Sequence, residues 1–239
     1  MHRSVPLILA LFLLVSCGSH RHRRHGGGAA TTGPRQTTIQ FLGRGCFRLT
    51  SSSGLTVLVD PFNPSKISSG MKAGSVPADV VFVTHEDETA NFTDLASGSP
   101  QIFRSTMAVG INRASGLAVR GVQTSSDKVG GDTSHLNVAY VWSMDGIRYC
   151  HLGGIVDPIN LSESIIIGNV DVLFMPVGGN FNEAKQRITL DRLRPKVIIP
   201  ISYSGGVGGG SFRMPTVRQR STFTLAKEQL PTTPTIYIP

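Results

Sequence analysis

"ADVVFVTHEDETANF", residues Ala78–Phe92, decides how the rest of the chain is read. From Asp79 to His85 it is a nearly continuous apolar run, the pattern of a central strand buried on both faces rather than one that alternates toward water. The run ends in His85, Glu86, Asp87 and Glu88, so a buried strand delivers a polar cluster to one edge of its sheet. A turn there would aim His85 and Asp87 at one point. Much later, His151 ends another apolar strand and precedes Gly153-Gly154. Two imidazoles and a carboxylate make a three-ligand set for a divalent metal, with open positions for water or substrate. The alternative is three isolated polar residues at strand ends, each satisfied by backbone partners. Asp87 and His151 stand 64 positions apart and form no local motif, so spacing alone leaves both readings open.

Outward from this stretch the chain reads as short strands with turn punctuation. "TTIQFL" (37–42), "CFRLT" (46–50) and "LTVLVDP" (55–61) have the spacing of a meander. "LAVRGVQT" (117–124), "NVAYVWSM" (137–144) and "GIRYCHL" (146–152) continue it, the last two joined by a hairpin signal at Asp145-Gly146. The second half alternates: a helix near 160–168, a strand at 171–177, a helix within 183–194 and a strand at 196–202. Strand runs followed by strand–helix units, without an internal repeat, predict two packed sheets covered by helices.

Taken in order, "TIQFLGRGCFRLTSSSGLTVLVDPF", "ADVVFVTHEDETANF", "GIRYCHLGG", "VDVLFMPVGGNF" and "RPKVIIPISY" resemble the metallo-β-lactamase-fold hydrolases, in particular the branch that includes ascorbate-phosphate lactonase-like proteins. The resemblance spans residues 37–203. It implies an α/β fold, a four-layer αββα sandwich whose metal ligands project from strand ends along one edge. Where that family carries T-H-x-H-x-D-H, this chain has Thr84-His85-Glu86-Asp87-Glu88-Thr89-Ala90. Only the first His is kept; Asp87 replaces the second, Thr89 the Asp and Ala90 the last His. In the H-x-G-D segment His151 and Gly153 are kept, but the Asp that bridges two metals is Gly154. The His of the family's P-x-H-Y is Ser202.

Transferred residue by residue, the first metal position becomes His85, Asp87 and His151. The second is left with Thr89, Ala90, Gly154 and Ser202, none a strong ligand, which removes a two-metal mechanism. A mononuclear centre with Zn, Mn or Fe is one expectation, and a site without metal is the other. The corresponding functions are a metal-dependent hydrolase acting on a small molecule, and a catalytically inactive binding or scaffold module that keeps the fold. Asp60 in "LVDPF" matches a family Asp that orients the metal loop from a second shell, although a turn cap before Pro61 needs no metal. Glu86 and Glu88 are expected to face solvent. Gly178-Gly179 reads as a tight turn, and "SGGVGGGS" (204–211) as a loop bordering the pocket that lacks the context of a phosphate cradle.

Residues 1–16 have the layout of a secretory signal: His2 and Arg3, then the eleven-residue run Val5–Val15. That run is too short to span a bilayer as a helix. "LVSC" (14–17) resembles the lipobox of bacterial lipoproteins, which would make Cys17 the site of lipid attachment; an ordinary signal with an incidental cysteine is the alternative. The resemblance implies a lipid-anchored protein of the bacterial cell envelope. Residues 17–36, rich in Gly, Arg and His, read as a tether, leaving 37–239 as the folded domain. Five of the 23 basic residues and no acidic ones fall within 1–36, so 18 basic against 15 acidic side chains leave the domain at only +3. No nucleic-acid partner is expected from that balance. Export permits a disulfide, but sequence does not say whether Cys46 and Cys150 meet.

Overall fold

The computed structural model describes residues 33–66, 69–124, 136–201 and 214–239. The signal, Cys17, most of the tether, Ser202 and the 204–211 loop lie outside the described residues. A compact unit runs from Pro34 to Pro239.

The opening meander folds as read: β1 (Gln36–Gly43), β2 (Cys46–Thr50) and β3 (Thr56–Val59) pair antiparallel, Ile39 opposite Leu49 and Leu49 opposite Val57. A two-residue pair follows, β4 (Val76–Pro77) with β6 (Ala96–Ser97). Between them β5 (Val80–Val83) adds parallel to β3, and β7 (Gln101–Arg104) adds parallel to β5. With β15 (Thr222–Ala226) beside β1, the six-stranded sheet has the order β15-β1-β2-β3-β5-β7.

The second sheet has eight strands: β8 (Gly110–Ala114), β9 (Leu117–Thr124), β10 (Asn137–Met144), β11 (Ile147–His151), β12 (Val172–Pro176), β13 (Val197–Ile201), β14 (Thr216–Arg218) and β16 (Thr235–Ile238). Their order is β14-β16-β13-β12-β11-β10-β9-β8. Asp145 and Gly146 both take positive φ (50° and 80°), the twist-matched turn that lets β10 fold directly back as β11.

Alternation along the strands builds the core between the sheets. Ile39, Phe47, Leu49, Val57, Val59 and Phe82 from one sheet meet Tyr140, Trp142, Tyr149, Val172, Phe174 and Ile199 from the other. Phe82 stacks on Tyr140 at 4.7 Å and Phe47 tilts against Phe174 at 4.8 Å. Each such fully buried side chain contributes about 1.5–3 kcal/mol. At one end of the sandwich the Asp145 carboxylate accepts from the Thr37 hydroxyl and the Ser52 N–H, both at 2.9 Å, and staples the two sheets together.

The outer face of the eight-stranded sheet is covered by α1 (Leu161–Ile167) and α2 (Glu183–Leu193), which bury Ile167, Leu190 and Leu193 against Cys150, Leu173, Met175 and Ile198. Asn160 and Glu163 form a reciprocal capping box at the start of α1, and the Asn182 side chain caps α2. The other outer layer differs from a helix. Among the described residues, Phe62, Val76, Ala78 and Leu95, from the stretches that flank β5 and hold one short 3₁₀ turn (Thr93–Leu95), cover Cys46, Leu58, Val81 and Val83. Pro61, Pro64, Pro77, Gly70 and Gly74 discourage a helix there. The rest of that sheet face carries Thr38, Gln40, Arg48, Thr50, Thr222 and Thr224, which need no apolar cover.

Cys46 and Cys150 are both buried and free. Cys46 packs on the outer face of the six-stranded sheet and Cys150 on the outer face of the eight-stranded one, so the whole sandwich separates them and they cannot pair.

Candidate functional site

Because β3, β5 and β7 run parallel, their C-terminal ends lie along one edge, and they set Asp60, Thr84-His85 and Ser105 there in a row. The end of β11 brings His151 to the same edge from the facing sheet. Two further contacts close the gap: the Val138 N–H donates to the Thr84 carbonyl (2.8 Å), and the Tyr140 hydroxyl reaches the Val83 and Phe103 carbonyls (3.2 and 3.0 Å).

Asp60 is 2% exposed and sits at φ +48°, a left-handed conformation that Asp tolerates better than most residues. Its two carboxylate oxygens accept from the Thr84 N–H and the Thr84 hydroxyl, each at 2.8 Å. With its proton given to Asp60, the Thr84 hydroxyl can only accept from Nδ1 of His85, which lies 2.8 Å away. The chain Asp60–Thr84–His85 therefore fixes the tautomer and orientation of the ring. Nε2 of His85 then faces Oδ2 of Asp87 at 3.3 Å.

That last contact sets two lone pairs against each other unless a positive charge lies between them. Burial pulls the pKa of His85 down most strongly. The Asp87 hydrogen bond and the charges of Asp60, Asp87 and Glu86 outweigh it and hold the imidazole above its ordinary value. The carboxyl of Asp87 is held well below the usual range, first by His85 and then, against some burial, by Thr89. Thr89 gives both its N–H (2.6 Å) and its hydroxyl to the other Asp87 oxygen.

His151 is placed differently from the three-ligand expectation. It is fully buried, its ring stacked on Phe174 at 5.3 Å. Its Nδ1 accepts from the Gly153 N–H (3.2 Å), so Nε2 carries the proton and donates to the Gly45 carbonyl (3.0 Å) in the turn between β1 and β2. Burial pushes its pKa down, with the charge of Asp60, 3.6 Å away, opposing. Both ring nitrogens are thus engaged away from His85 and Asp87. Among the described residues no three His, Cys, Asp or Glu side chains gather around a common point.

The turn after His151 is built to the same closeness. Gly153 has φ +62°, and a Cβ there would fall 2.3 Å from the Thr84 hydroxyl oxygen. At Gly154 a Cβ would stand 3.3 Å from three atoms of the His85 ring. Asn137, 1% exposed, holds this turn by accepting from the Gly154 N–H (2.8 Å) and donating to the Leu152 carbonyl (2.8 Å).

Glu86 corrects the solvent-facing expectation: it pairs with Arg104 at 2.7 Å, and its other oxygen is buried with no partner among the described residues. Glu88 does face solvent, near Lys66 at 3.7 Å. Sequence reasoning did not single out Thr84, Asn137 or Arg104. Of these only Thr84, directly beside His85, offered a local signal.

A family model described as the beta-lactamase superfamily domain matches residues 38–202, and the chain belongs to that family. A Geobacillus thermodenitrificans protein named UPF0173 metal-dependent hydrolase is 23% identical over 197 residues, covering 70% of this chain and 85% of its own length. A Thermococcus kodakarensis protein of the same name is 26% identical over 195 residues, covering 70% and 84%. Among solved structures, a Thermotoga maritima member of the metallo-β-lactamase superfamily is 25% identical with a TM-score of 0.64, covering 84% of this chain and 97% of that one. A metallo hydrolase from Ignicoccus hospitalis, at 16% identity and a TM-score of 0.52 over 71% and 83% of the two chains, shares the fold.

A pair of ions does not fit the residues present, since Thr89 is spent on Asp87, Ala90 is apolar and Gly154 has no side chain. One ion fits in part. Ligands bound at about 2.0–2.1 Å in a tetrahedral shell stand roughly 3.3 Å apart, the separation of His85 Nε2 from Asp87 Oδ2. His151 could join only by leaving Gly45.

Proposed function

We propose that this protein is an envelope-anchored hydrolase of the metallo-β-lactamase fold that works with at most one divalent ion, held by His85 Nε2 and Asp87 Oδ2. The observation that carries the proposal is that facing nitrogen and oxygen, 3.3 Å apart, which need a positive charge between them: a proton on His85 in the metal-free protein, or a divalent ion in its place. When bound there, such an ion would supply Lewis acidity toward a carbonyl or phosphoryl oxygen and acidify a water. The rest of the site belongs to the chain itself. Asp60 and Thr84 aim the His85 ring, Thr89 holds Asp87, and Asn137 keeps the Gly153-Gly154 turn against them. The sequence resemblance to lactonase-like proteins makes small lactones, phosphodiesters and thioesters the substrates to screen, and the near-neutral domain argues against nucleic acid. The anchor would be a lipid on Cys17.

One observation favours the second reading, an inactive binding or scaffold lipoprotein: His151 is already satisfied by Gly45 and Gly153. Metal content decides between the two. Full-length wild type, His85→Ala, Asp87→Ala and His151→Ala are purified without chelator, loaded with Zn, Mn or Fe and quantified by mass spectrometry. One equivalent in wild type, lost in the first two variants, supports the hydrolase; equal metal in wild type and His85→Ala sinks it. Membrane fractionation of wild type against Cys17→Ala tests the anchor.

A further inference from the structure

The chain turns from β1 into β2 through two residues, Arg44 and Gly45, set between Gly43 and Cys46, which pair across the hairpin. β2 runs antiparallel to β3 with Phe47 opposite Val59, so this turn lies beside Asp60, on the edge that carries Thr84, His85 and His151. Its position is fixed from two sides. The Gly45 carbonyl accepts from the buried His151 ring (3.0 Å), and the fully buried Phe62 ring lies 3.4 Å from where a Cβ on Gly43 would stand.

Arg44 takes φ +54°, in the left-handed region, whereas Gly45 is not among the residues of positive φ. A two-residue hairpin turn with positive φ only at its first position favours glycine there, and this turn has its glycine second. The other non-glycine residues of positive φ have local reasons for it. Ser115 and Asp145 open turns in which the following glycine, Gly116 or Gly146, shares the positive φ. Arg194 closes α2 with its N–H on the Leu190 carbonyl (2.8 Å), and Asp60 is held by Thr84 through both carboxylate oxygens. At Arg44 the tie to His151 accounts for the shape of the backbone but not for the side chain. Glycine at 44 would aim the Gly45 carbonyl the same way with less strain.

The charges of this edge point to a use for the side chain. Arg104 is bound to Glu86 (2.7 Å), and Lys66 stands near Glu88 (3.7 Å). Asp87 faces His85 and accepts from Thr89, and Asp60 accepts from Thr84. Arg44 is exposed and, among the described residues, has no carboxylate partner. Its guanidinium is a planar fork of donors that matches the two oxygens of a carboxylate or a phosphate.

We infer that Arg44 receives an oxyanion group of the substrate, a phosphate or a carboxylate, and so selects anionic molecules for the His85 edge. The inference rests on the hydrolase reading and deepens it. Among lactones, phosphodiesters and thioesters, it singles out those that carry a free negative charge near the bond to be cut. Because the turn is tied to His151 in the facing sheet, the backbone beneath Arg44 keeps its place relative to both sheets.

The test uses the full-length chain treated with chelator, so that no metal competes for the anion. Wild type, Arg44→Gly and Arg44→Lys are titrated with inorganic phosphate and, separately, with acetate against chloride at matched ionic strength, and the Gly45 and Cys46 amide resonances are followed by NMR. Expected is a saturable shift in wild type with at least one anion, a Kd about tenfold weaker or worse in Arg44→Gly, and an intermediate loss in Arg44→Lys, which keeps the charge but not the fork. The thermal unfolding midpoint of Arg44→Gly should rise by about 2–4 °C as the left-handed strain is relieved. Saturation by phosphate alone assigns a phosphate group, and saturation by acetate alone a carboxylate. No saturation in wild type, an unchanged Kd in Arg44→Gly or a lowered midpoint in that variant overturns the inference. Metal content is scored separately: a wild type that binds the anion through Arg44 but holds no metal fails the hydrolase reading and leaves the anion site standing.

Discussion

The imidazole of His151 donates its Nε2 proton to the backbone carbonyl of Gly45, 106 residues earlier in the chain and in the opposite sheet, across 3.0 Å. This bond makes His151 a tie between sheets, and its removal has a predictable cost. His151→Ala opens a cavity against Phe174 and strands a buried carbonyl, so a loss of about 2–4 kcal/mol is expected in urea unfolding. His151→Gln, which can still donate, should recover part of it. A neutral effect of the alanine variant would show that the tie is not made.

The pH dependence of this residue has a definite sign. Burial depresses the folded pKa of His151, so below about pH 6.5 the unfolded chain binds a proton that the folded chain resists, and stability falls as pH drops. In His151→Gln that component of the acid slope should vanish from denaturation midpoints measured between pH 7 and 5.

His85 behaves oppositely. Its folded pKa is raised, so its contribution is fully present below about pH 6.5 and is lost as pH rises through the folded value. Asp87→Asn removes the largest raising influence, and the His85 ring titration followed by NMR should move to lower pH. An unmoved titration would mean that the 3.3 Å contact is not populated in solution.

At Gly153 two independent obstacles, φ +62° and the Thr84 hydroxyl 2.3 Å from any added Cβ, predict that Gly153→Ala costs more than about 2 kcal/mol. Gly154 is not in that left-handed region, and the obstacle there is only the edge of the His85 ring at 3.3 Å. Gly154→Asp should therefore fold and, by adding a carboxylate beside His85, hold more divalent metal than wild type when both are loaded and quantified; equal occupancy would refute this.

The elements that sequence reasoning placed well are those whose pattern is local. CFRLT, LAVRGVQT and NVAYVWSM are strands over the residues read, and Asp145-Gly146 is the turn. The strands it passed over, β4, β6, β7, β8 and β14–β16, are at most 5 residues long, and several acquire strand geometry from partners far along the chain: β7 from β5, β15 from β1, and β16 from β13. In the site, the edge positions of His85, Asp87 and Asp60 were legible because strand ends fix them. The rotation of the His151 ring was not, because it depends on a single carbonyl in a distant turn. Nor was Arg104, whose partner Glu86 lies 18 residues away in a different strand end.

The placement of Cys46 and Cys150 on opposite outer faces has a consequence for how the molecule matures. Burial raises both thiols, that of Cys150 to about 12, so neither offers appreciable thiolate at neutral pH. The domain needs no oxidoreductase to join these two cysteines, and it should reach the same fold, with the same unfolding midpoint, whether or not dithiothreitol is present. Thiol counting should find both sulfhydryls silent in the native protein and reactive together once denaturant is added, which makes them an intrinsic clock for global unfolding.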